Sequence, residues 1–368
     1  MNVPGSPFPV PRWPRFGRGF GWEGPRRRLT RMDRKRGTGN GERGTLAAIL
    51  VTALLACSTG GSGEQVRITV PPGANFHQVT DSLMAHDLVR SRFWFTLLAR
   101  LRRTDRAAQA GVYDLPRGAS AWALLSAIEH GQVAMVRFTA PEGLTLAELA
   151  DLAQARLNIP RDSLITAASE RARVNRVAPD APSLEGYLLP ETYSLPVPVS
   201  GNTLVEAMVE EFQRRWNPAW NARLDTLKLT RTQILALASI VEGEARHDDE
   251  RSTIAAVYSN RLRIGMALQA DPTVQYAIQL ATGERKSRLY FKDYEFPSPY
   301  NTYLNPGLPP GPVNSPGIKS IEAALYPADV PWLYFVAGPD GHHVFSRTLL
   351  EHNRAIQGVR QRARGSGK

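Results

Sequence analysis

The sequence of 368 residues contains one cysteine, Cys57, so an internal disulfide is excluded. It lacks HExxH, a P-loop motif and a glycine-rich strand-to-helix turn, the motifs of zinc peptidases, P-loop proteins and dinucleotide-binding domains. It also lacks the GxSxG turn that many serine hydrolases use. Because the metal and nucleotide motifs are missing, we expect no metal or other cofactor. The apolar run at residues 45–57 is shorter than a typical membrane-spanning helix.

Positive charge is concentrated near the N-terminus. Residues 1–43 hold eleven Arg or Lys against three acidic residues, a net +8 within a chain whose formal charge is +11. Little positive charge remains for the rest, so no nucleic-acid partner is expected. Abundant Pro, Gly and Arg without apolar periodicity predict that residues 1–44 form a disordered tail.

The apolar run TLAAILVTALLAC at residues 45–57 is predicted to be a signal or anchor segment. Its thirteen residues would span about 20 Å as a helix, short of the roughly 30 Å hydrocarbon core. The basic flank before it places residues after 57 outside the cytoplasm. Its last four residues, LLAC, resemble a bacterial lipobox, which would make Cys57 the lipidated residue. The alternative is an uncleaved signal anchor with an incidental cysteine.

After a linker at residues 58–65, residues 66–137 form a predicted α+β module. A strand, a turn and an amphipathic helix occur twice, with Asn75 and Ser120 as N-caps. The first unit resembles a LysM-type βααβ module, a class that binds N-acetylglucosamine-containing glycans; the alternative is a spacer. Residues 138–225 are predicted to be a connecting subdomain that begins with a third such turn, where Thr145 is the cap.

The most informative stretch is TRTQILALASIVEGEA, residues 230–245. Thr230 and Gln233 have the spacing of a capping box, and the apolar periodicity after them predicts a core helix. Glu242 and Glu244 lie about 80° to either side of its apolar stripe, so they cannot point into one cleft. Partial desolvation would raise the pKa of such a carboxyl and suit it to act as a general acid. Alternatively, both glutamates are solvated helix ends.

The remaining sequence predicts a loop wall beside this helix. A helix ending at Gly265 is followed by a loop and by Pro272, which opens the next helix. Residues 296–317 contain seven prolines and three glycines, too many for a regular element. This segment could present amides, hydroxyls and aromatic rings to a sugar, or be a structural crossing.

The chain closes with strands, a helix and a disordered tail at residues 359–368. The predicted fold class is α+β, with a mixed α/β catalytic domain at 226–358 built around the Glu-bearing helix and the Pro-rich wall.

Several motifs resemble those of the YceG-like endolytic murein transglycosylases: SLEGYLLPETY, ASIVEGEA, NRLRIGMALQADPTVQY and YNTYLNPGLPPGPVNSPG occur in family order over roughly residues 66–358. The resemblance implies a bacterial protein anchored in the inner membrane, with a LysM-like part and a periplasm-facing catalytic part. It implies cleavage of the β-1,4 bond between N-acetylmuramic acid and N-acetylglucosamine in peptidoglycan, giving 1,6-anhydro ends and terminating glycan elongation. Peptidoglycan synthases are possible partners.

The family's catalytic glutamate, the second of a Glu-x-Glu pair, corresponds to Glu244. A transglycosylase needs one essential carboxylate, because the C6 hydroxyl of the sugar attacks C1 while that glutamate serves as acid and then base. Glu185 is the candidate auxiliary carboxylate from its motif. The candidate substrate-binding residues are Asn260, Gln269, Asp271, Asn301, Thr302 and Tyr303. A muramidase-type hydrolase and a non-catalytic glycan-binding scaffold remain the alternatives.

Overall fold

Short capped helices dominate the fold. The computed structural model describes residues 64–104 and 107–365, in which thirteen helices and six strands confirm the α+β class. The strands are β1 (Gln65–Val70), β2 (Gly111–Pro116), β3 (Met135–Thr139), β4 (Thr192–Pro196), β5 (Tyr334–Ala337) and β6 (His343–Ser346). The helices are α1 (Phe76–Ala85), α2 (Arg92–Arg102), α3 (Ala121–Glu129), α4 (Leu146–Leu157), α5 (Arg161–Ser169), α6 (Arg171–Val177), α7 (Gly201–Arg215), α8 (Ala219–Leu227), α9 (Arg231–Glu244), α10 (Arg251–Arg263), α11 (Asp271–Thr282), α12 (Ile318–Leu325) and α13 (Leu349–Gly365).

The N-terminal part has a hydrophobic core of its own. β1 pairs antiparallel with β2, from Gln65 opposite Pro116 to Val70 opposite Gly111, and α1 and α2 lie between them in sequence. Asn75 caps α1 as predicted. The structure adds a full capping box, since its side chain accepts the Gln78 N–H while the Gln78 side chain accepts the Asn75 N–H. Inward-facing residues of both strands and of α1 to α3 make the core, including Ile68, Val79, Leu83, Phe95, Tyr113 and Leu125.

A second core extends from β3 to α12. β3 pairs with β4 and β5 with β6, each antiparallel. Buried residues from Phe138 to Leu325 belong to one cluster, so residues 138–225 and 226–358 share a core instead of each having one. The predicted caps at Thr145 and Thr230 are confirmed, each as a full capping box.

Helix α9 lies at the centre of this second core. From Ile234 to Val241 every residue is at most 1% exposed, so the helix is buried on all sides and not only along one stripe. The Pro-rich segment packs on it: the Val313 N–H donates to Ser239 Oγ (3.0 Å) and the Asn314 amide donates to the Ser239 carbonyl (2.9 Å). These bonds fix the loop against the helix that carries Glu244.

The chain ends differ from the prediction in one respect. Helix α13 continues to Gly365, so residues 359–365 are helical where a disordered tail was expected. In the described part of the chain no helix combines the length and apolarity needed to cross a membrane. The N-terminal tail, the apolar run at 45–57 and Cys57 lie outside the described residues.

Candidate active site

Glu244 is the last residue of α9, and its carboxyl is partly buried among polar groups. The Tyr258 hydroxyl donates to Glu244 Oε1 at 3.0 Å. Burial, followed by repulsion from the Asp271 carboxylate, raises the pKa of Glu244 to about 7. The hydrogen bond from Tyr258, the Arg261 charge and the Asp271 backbone N–H oppose that rise. The carboxyl is therefore half protonated near neutral pH, as a group that both donates and accepts a proton requires.

Asp271 brings a second carboxylate to this cluster from the start of α11. Its Oδ1 accepts the Tyr303 hydroxyl at 2.7 Å, and its Oδ2 accepts the Tyr294 hydroxyl at 3.5 Å. The two tyrosine rings pack with centroids 4.5 Å apart. Burial is also the largest cause of the raised pKa of Tyr303, so its hydroxyl stays protonated as a donor.

Gly243 permits the close approach of these two helices. A Cβ atom built at Gly243 would lie 2.6 Å from Pro272 Cγ and 2.8 Å from its Cβ, far inside contact distance. The missing side chain lets the first turn of α11 press against the last turn of α9. This contact sets Asp271 beside Glu244.

Arg261 supplies the buried positive charge of the site. It lies one turn after Tyr258 on α10, donates from Nε to the Leu333 carbonyl at 2.7 Å and from Nη1 to the Leu268 carbonyl. Burial lowers the pKa of its guanidinium from the usual value. Because both bonds go to loop carbonyls, Arg261 ties the segment before Asp271 to the residue that precedes β5.

Glu242 faces different neighbours, as expected from the opposite flanks of the helix. Its Oε1 accepts Arg251 Nη1 at 3.0 Å, its Oε2 accepts the Gly317 N–H at 3.0 Å, and its side chain is 7% exposed. This is a buried ion pair that joins α9 to α10 and α12. Glu242 is therefore fully engaged in the fold.

The sequence profile of the YceG-like family matches residues 68–358. The chain belongs to the YceG-like family. A Bacillus subtilis protein named endolytic murein transglycosylase is 32% identical over 310 residues, covering 80% of this chain and 84% of that protein. A Streptococcus pneumoniae protein of the same name is 27% identical, covering 80% of this chain and 58% of that protein. A crystal structure of a yceG-like protein from Listeria monocytogenes is 31% identical, with a TM-score of 0.55 over 79% of this chain and 98% of that one.

Three of the residues predicted to bind substrate lie at the surface of this YceG-like site. Asp271 and Tyr303 are hydrogen bonded to each other, as described above. Gln269 is exposed and has a left-handed backbone (φ 50°), which turns the chain just before α11. Its backbone N–H donates to the Thr302 carbonyl at 3.2 Å, which fixes this turn against the Pro-rich segment.

The other three, Asn301, Thr302 and Asn260, make their hydrogen bonds within the fold, and their binding of substrate stays a prediction. Asn301 is fully buried; its amide donates to the Tyr294 and Phe296 carbonyls, and its oxygen accepts the Tyr303 N–H at 2.9 Å. Thr302 is 1% exposed and its hydroxyl accepts the Ala270 N–H at 3.0 Å. These two residues position Tyr303 and the Gln269 turn. The Pro-rich wall therefore displays Tyr303, while the 300–302 stretch faces the core.

Asn260 serves the fold in another place. Its amide donates to the Val330 and Trp332 carbonyls at 2.8 and 3.0 Å, and its oxygen accepts Arg263. Every polar atom of its side chain is thus bonded within the chain, and it clamps the segment that leads into β5. The helical position of Asn260, two residues after Tyr258, turns it away from Glu244.

Glu185 is buried, and its hydrogen-bond partners lie outside this cluster. Both its oxygens accept the Leu146 N–H at the start of α4 at 3.0 Å, and the Tyr276 hydroxyl donates to it at 3.1 Å. Burial raises its pKa to about 7. Neither Glu244 nor Asp271 is among its bonded partners, so the carboxylate beside the candidate acid is Asp271.

A polar cluster elsewhere in this YceG-like chain combines three histidines with a buried glutamate. The His247 and His342 rings stack at 3.9 Å, and Glu250 accepts the His343 N–H at 2.7 Å and its Nδ1 at 3.0 Å. Glu250 is buried. Among the described residues no group of His, Cys, Asp and Glu side chains is arranged to hold a metal ion.

Sequence reasoning missed Tyr258, Arg261 and Tyr294. The first two are three residues apart on a helix, so they share one face, and this spacing was the available signal. Nothing in the local sequence singles out Tyr294, which reaches the site through the fold.

Proposed function

We propose that this chain is an endolytic lytic transglycosylase that cuts the β-1,4 bond between N-acetylmuramic acid and N-acetylglucosamine in nascent peptidoglycan and so ends strand elongation. The observation that carries the proposal is the partly buried Glu244 carboxyl, with a pKa of about 7, at the rim of the Gln269, Asp271 and Tyr303 surface. The names of the relatives from B. subtilis and S. pneumoniae support the same activity.

In this mechanism the protonated Glu244 donates its proton to the glycosidic oxygen as the bond to C1 breaks. Positive charge develops at C1, and the Asp271 carboxylate lies nearby to stabilise it. The C6 hydroxyl of the same muramic acid then bonds to C1, and ionised Glu244 accepts the hydroxyl proton. Glu244 returns to its starting state, no water is consumed, and the product carries a 1,6-anhydro end.

The experiment compares Glu244→Gln with its neighbour Glu242→Gln. Gln at position 244 keeps the shape but has no proton to transfer, so cleavage should fall by about 10² to 10⁴-fold. Purified protein is incubated with peptidoglycan strands, and products are identified by mass spectrometry. Circular dichroism must first show that both variants are folded, because Glu242 belongs to a buried ion pair. The larger loss for folded Glu242→Gln would assign the acid to Glu242 instead.

A muramidase-type hydrolase is the second candidate, because Asp271 places another carboxylate beside Glu244 as a retaining hydrolase requires. The same mass spectra separate the activities. Anhydro ends identify a transglycosylase, reducing ends identify a hydrolase, and intact strands from the folded wild type would leave a non-catalytic scaffold.

The chain is further proposed to be anchored in the bacterial inner membrane by residues 45–57, with the catalytic part facing the periplasm. The lipobox-like LLAC supports lipidation of Cys57. On this proposal Cys57→Ser leaves an unprocessed precursor. If that variant has the same mass and membrane partition as the wild type, the lipid anchor is contradicted and residues 45–57 act as a signal anchor.

The strand–helix–helix–strand order of residues 65–116 supports the further proposal of a LysM-like module that binds N-acetylglucosamine-containing glycans. Peptidoglycan synthases, which supply nascent strands, are the proposed protein partners. Binding of chitin oligomers by the full chain, measured with Glu244→Gln to prevent cleavage, tests the first proposal. Cross-linking in membranes tests the second.

A further inference from the structure

Helix α2 turns an apolar face toward solvent. Phe93, Trp94 and Leu101 are 68%, 67% and 75% exposed, and Leu97 is 38% exposed. At 100° per residue these four side chains occupy an arc of about 100°, while Phe95 and Ala99 on the other side of the helix fill the core. The helix is thus apolar on both its buried and its exposed sides.

A fifth apolar side chain extends this surface. Trp122, at the start of α3, is 59% exposed. Arg102 holds it beside α2, with its guanidinium 3.8 Å from the Trp122 ring centre and Nη1 donating to the Trp122 carbonyl at 3.2 Å. We name these five side chains the aromatic face: Phe93, Trp94, Leu97, Leu101 and Trp122.

Arginines flank the aromatic face in the sequence. The stretch from Leu88 to Thr104 contains five arginines and no acidic residue. Arg92 pairs with Asp81 and Arg102 with Glu129. The other three, Arg90, Arg100 and Arg103, are exposed and have no ion pair within the described residues.

This combination fits one kind of partner. Trp, Phe and Leu beside Arg on one helix face are the composition of helices that lie in the membrane interface and bind anionic lipid. Position supports the same partner: the apolar run ends at residue 57, eight residues before β1, and eight residues reach at most about 29 Å. The face belongs to the module built on β1, so the proposed anchor would keep it close to the bilayer.

We propose that the aromatic face docks on the anionic surface of the membrane, with Phe93, Trp94, Leu97, Leu101 and Trp122 in the interface and Arg90, Arg100 and Arg103 on lipid phosphates. This contact goes beyond the proposed anchor, which supplies only proximity. It orients the N-terminal module, and with it the attached catalytic part, on the bilayer.

The test uses the full chain with Cys57→Ala, reconstituted into vesicles through its uncleaved apolar run at residues 45–57. An environment-sensitive dye then attaches only at an introduced cysteine. Leu97→Cys places the dye on the aromatic face. Glu210→Cys is the matched control, because position 210 is exposed on α7, a helix of the second core. In phosphatidylglycerol vesicles the dye at position 97 should emit at shorter wavelength and be quenched by nitroxide lipids, while the dye at 210 should do neither.

Charge is tested by Arg100→Glu combined with Arg103→Glu. Each arginine near an anionic surface contributes about fivefold, so the ratio of docked to undocked protein should fall by more than tenfold. Circular dichroism shows whether that variant is folded. If it is not, the protein with its native arginines must show a similar loss of docking in high salt or on phosphatidylcholine vesicles.

The inference fails if the dye at position 97 stays in water on phosphatidylglycerol vesicles. A response to N-acetylglucosamine oligomers without vesicles would make this a glycan surface, and a lipid-independent response that grows with protein concentration would make it a contact between copies. The glycan-cleavage assay on the same labelled protein is independent of the dye signal. Loss of cleavage alone would contradict the proposed function and leave the membrane contact standing.

Discussion

Replacing Asp271 by Asn should lower the pKa of the catalytic carboxyl. Repulsion from Asp271 is the second-largest cause, after burial, of the raised pKa of Glu244. Asn removes that charge. It keeps an oxygen to accept the Tyr303 hydroxyl, and the backbone N–H at position 271 is unchanged, so the geometry of the site is preserved.

The magnitude is bounded by the structure. The pKa of Glu244 rises from 4.5 to about 7, and burial contributes more of that rise than Asp271 does. The fall on substitution is therefore smaller than the whole rise. Because the acid must be protonated, activity is present below its pKa and lost as pH increases through it. Each unit by which the pKa falls corresponds to about 1.4 kcal/mol and reduces the protonated fraction about tenfold at pH values above the wild-type pKa.

The assay is the pH dependence of kcat/KM for glycan cleavage, which reports ionisations of the free enzyme. The alkaline limb, near pH 7 in the wild type, should move to lower pH in Asp271→Asn, and at pH 8 the variant should be much slower. Tyr303→Phe is the matched control, since it removes the hydrogen bond to Asp271 but keeps its charge.

An unchanged alkaline limb in folded, active Asp271→Asn would refute the reasoning, because the limb would then not report Glu244 under the influence of Asp271. Loss of activity at every pH without a shift would instead give Asp271 a role in stabilising charge at C1 or in bonding to it. Trapping a covalent glycosyl intermediate on Asp271 would establish the latter and favour the hydrolase.

Three further predictions concern the buried carboxylates. Tyr258→Phe removes a hydrogen bond that lowers the pKa of Glu244, so the alkaline limb should move to higher pH, opposite to Asp271→Asn; a shift in the same direction would contradict the assignment. The pKa of Glu185 is raised to about 7 in the folded protein, so its contribution to stability is full below pH 4.5 and is lost as the pH rises to about 7. Relative to Glu185→Gln, the wild type should therefore lose up to about 3 kcal/mol of unfolding free energy over that range, as measured by urea titration. If the two proteins show the same dependence of unfolding free energy on pH, Glu185 does not titrate in that range. Glu242→Gln leaves Arg251 buried with a weakened partner and should lower the unfolding free energy by about 3 kcal/mol at pH 7, whereas equal stability would mean that the ion pair contributes nothing.

Local signals made several elements predictable. The capping boxes at Asn75, Thr145 and Thr230 depend on residues three apart, and Pro272 opens α11 as expected. Helical geometry also separated Glu242 from Glu244 correctly. In each case the interaction involves residues within one turn, so no knowledge of the tertiary fold was needed.

The candidate site was only partly predictable, because amides and hydroxyls look alike in sequence whether they face a sugar or a backbone carbonyl. The side-chain amides of Asn301 and Asn260 donate to backbone carbonyls of loops whose positions the sequence does not predict. The neighbour relation of Asp271 and Glu244 likewise depends on how α11 crosses α9. Resemblance to a family brought these residues together, but only the fold separates those at the surface of the site from those that support it.

The contact between Gly243 and Pro272 constrains how sequences of this fold can diverge. A side chain at position 243 would overlap the proline ring, and a ring cannot move aside as a flexible side chain does. Positions 243 and 272 should therefore vary together. A chain with Ala at position 243 needs Gly at position 272, because Gly lacks the Cβ and Cγ atoms that would overlap the added methyl group. For anyone transplanting the Glu-x-Glu motif into another helical scaffold, the middle residue and the start of the crossing helix have to be transferred as a unit.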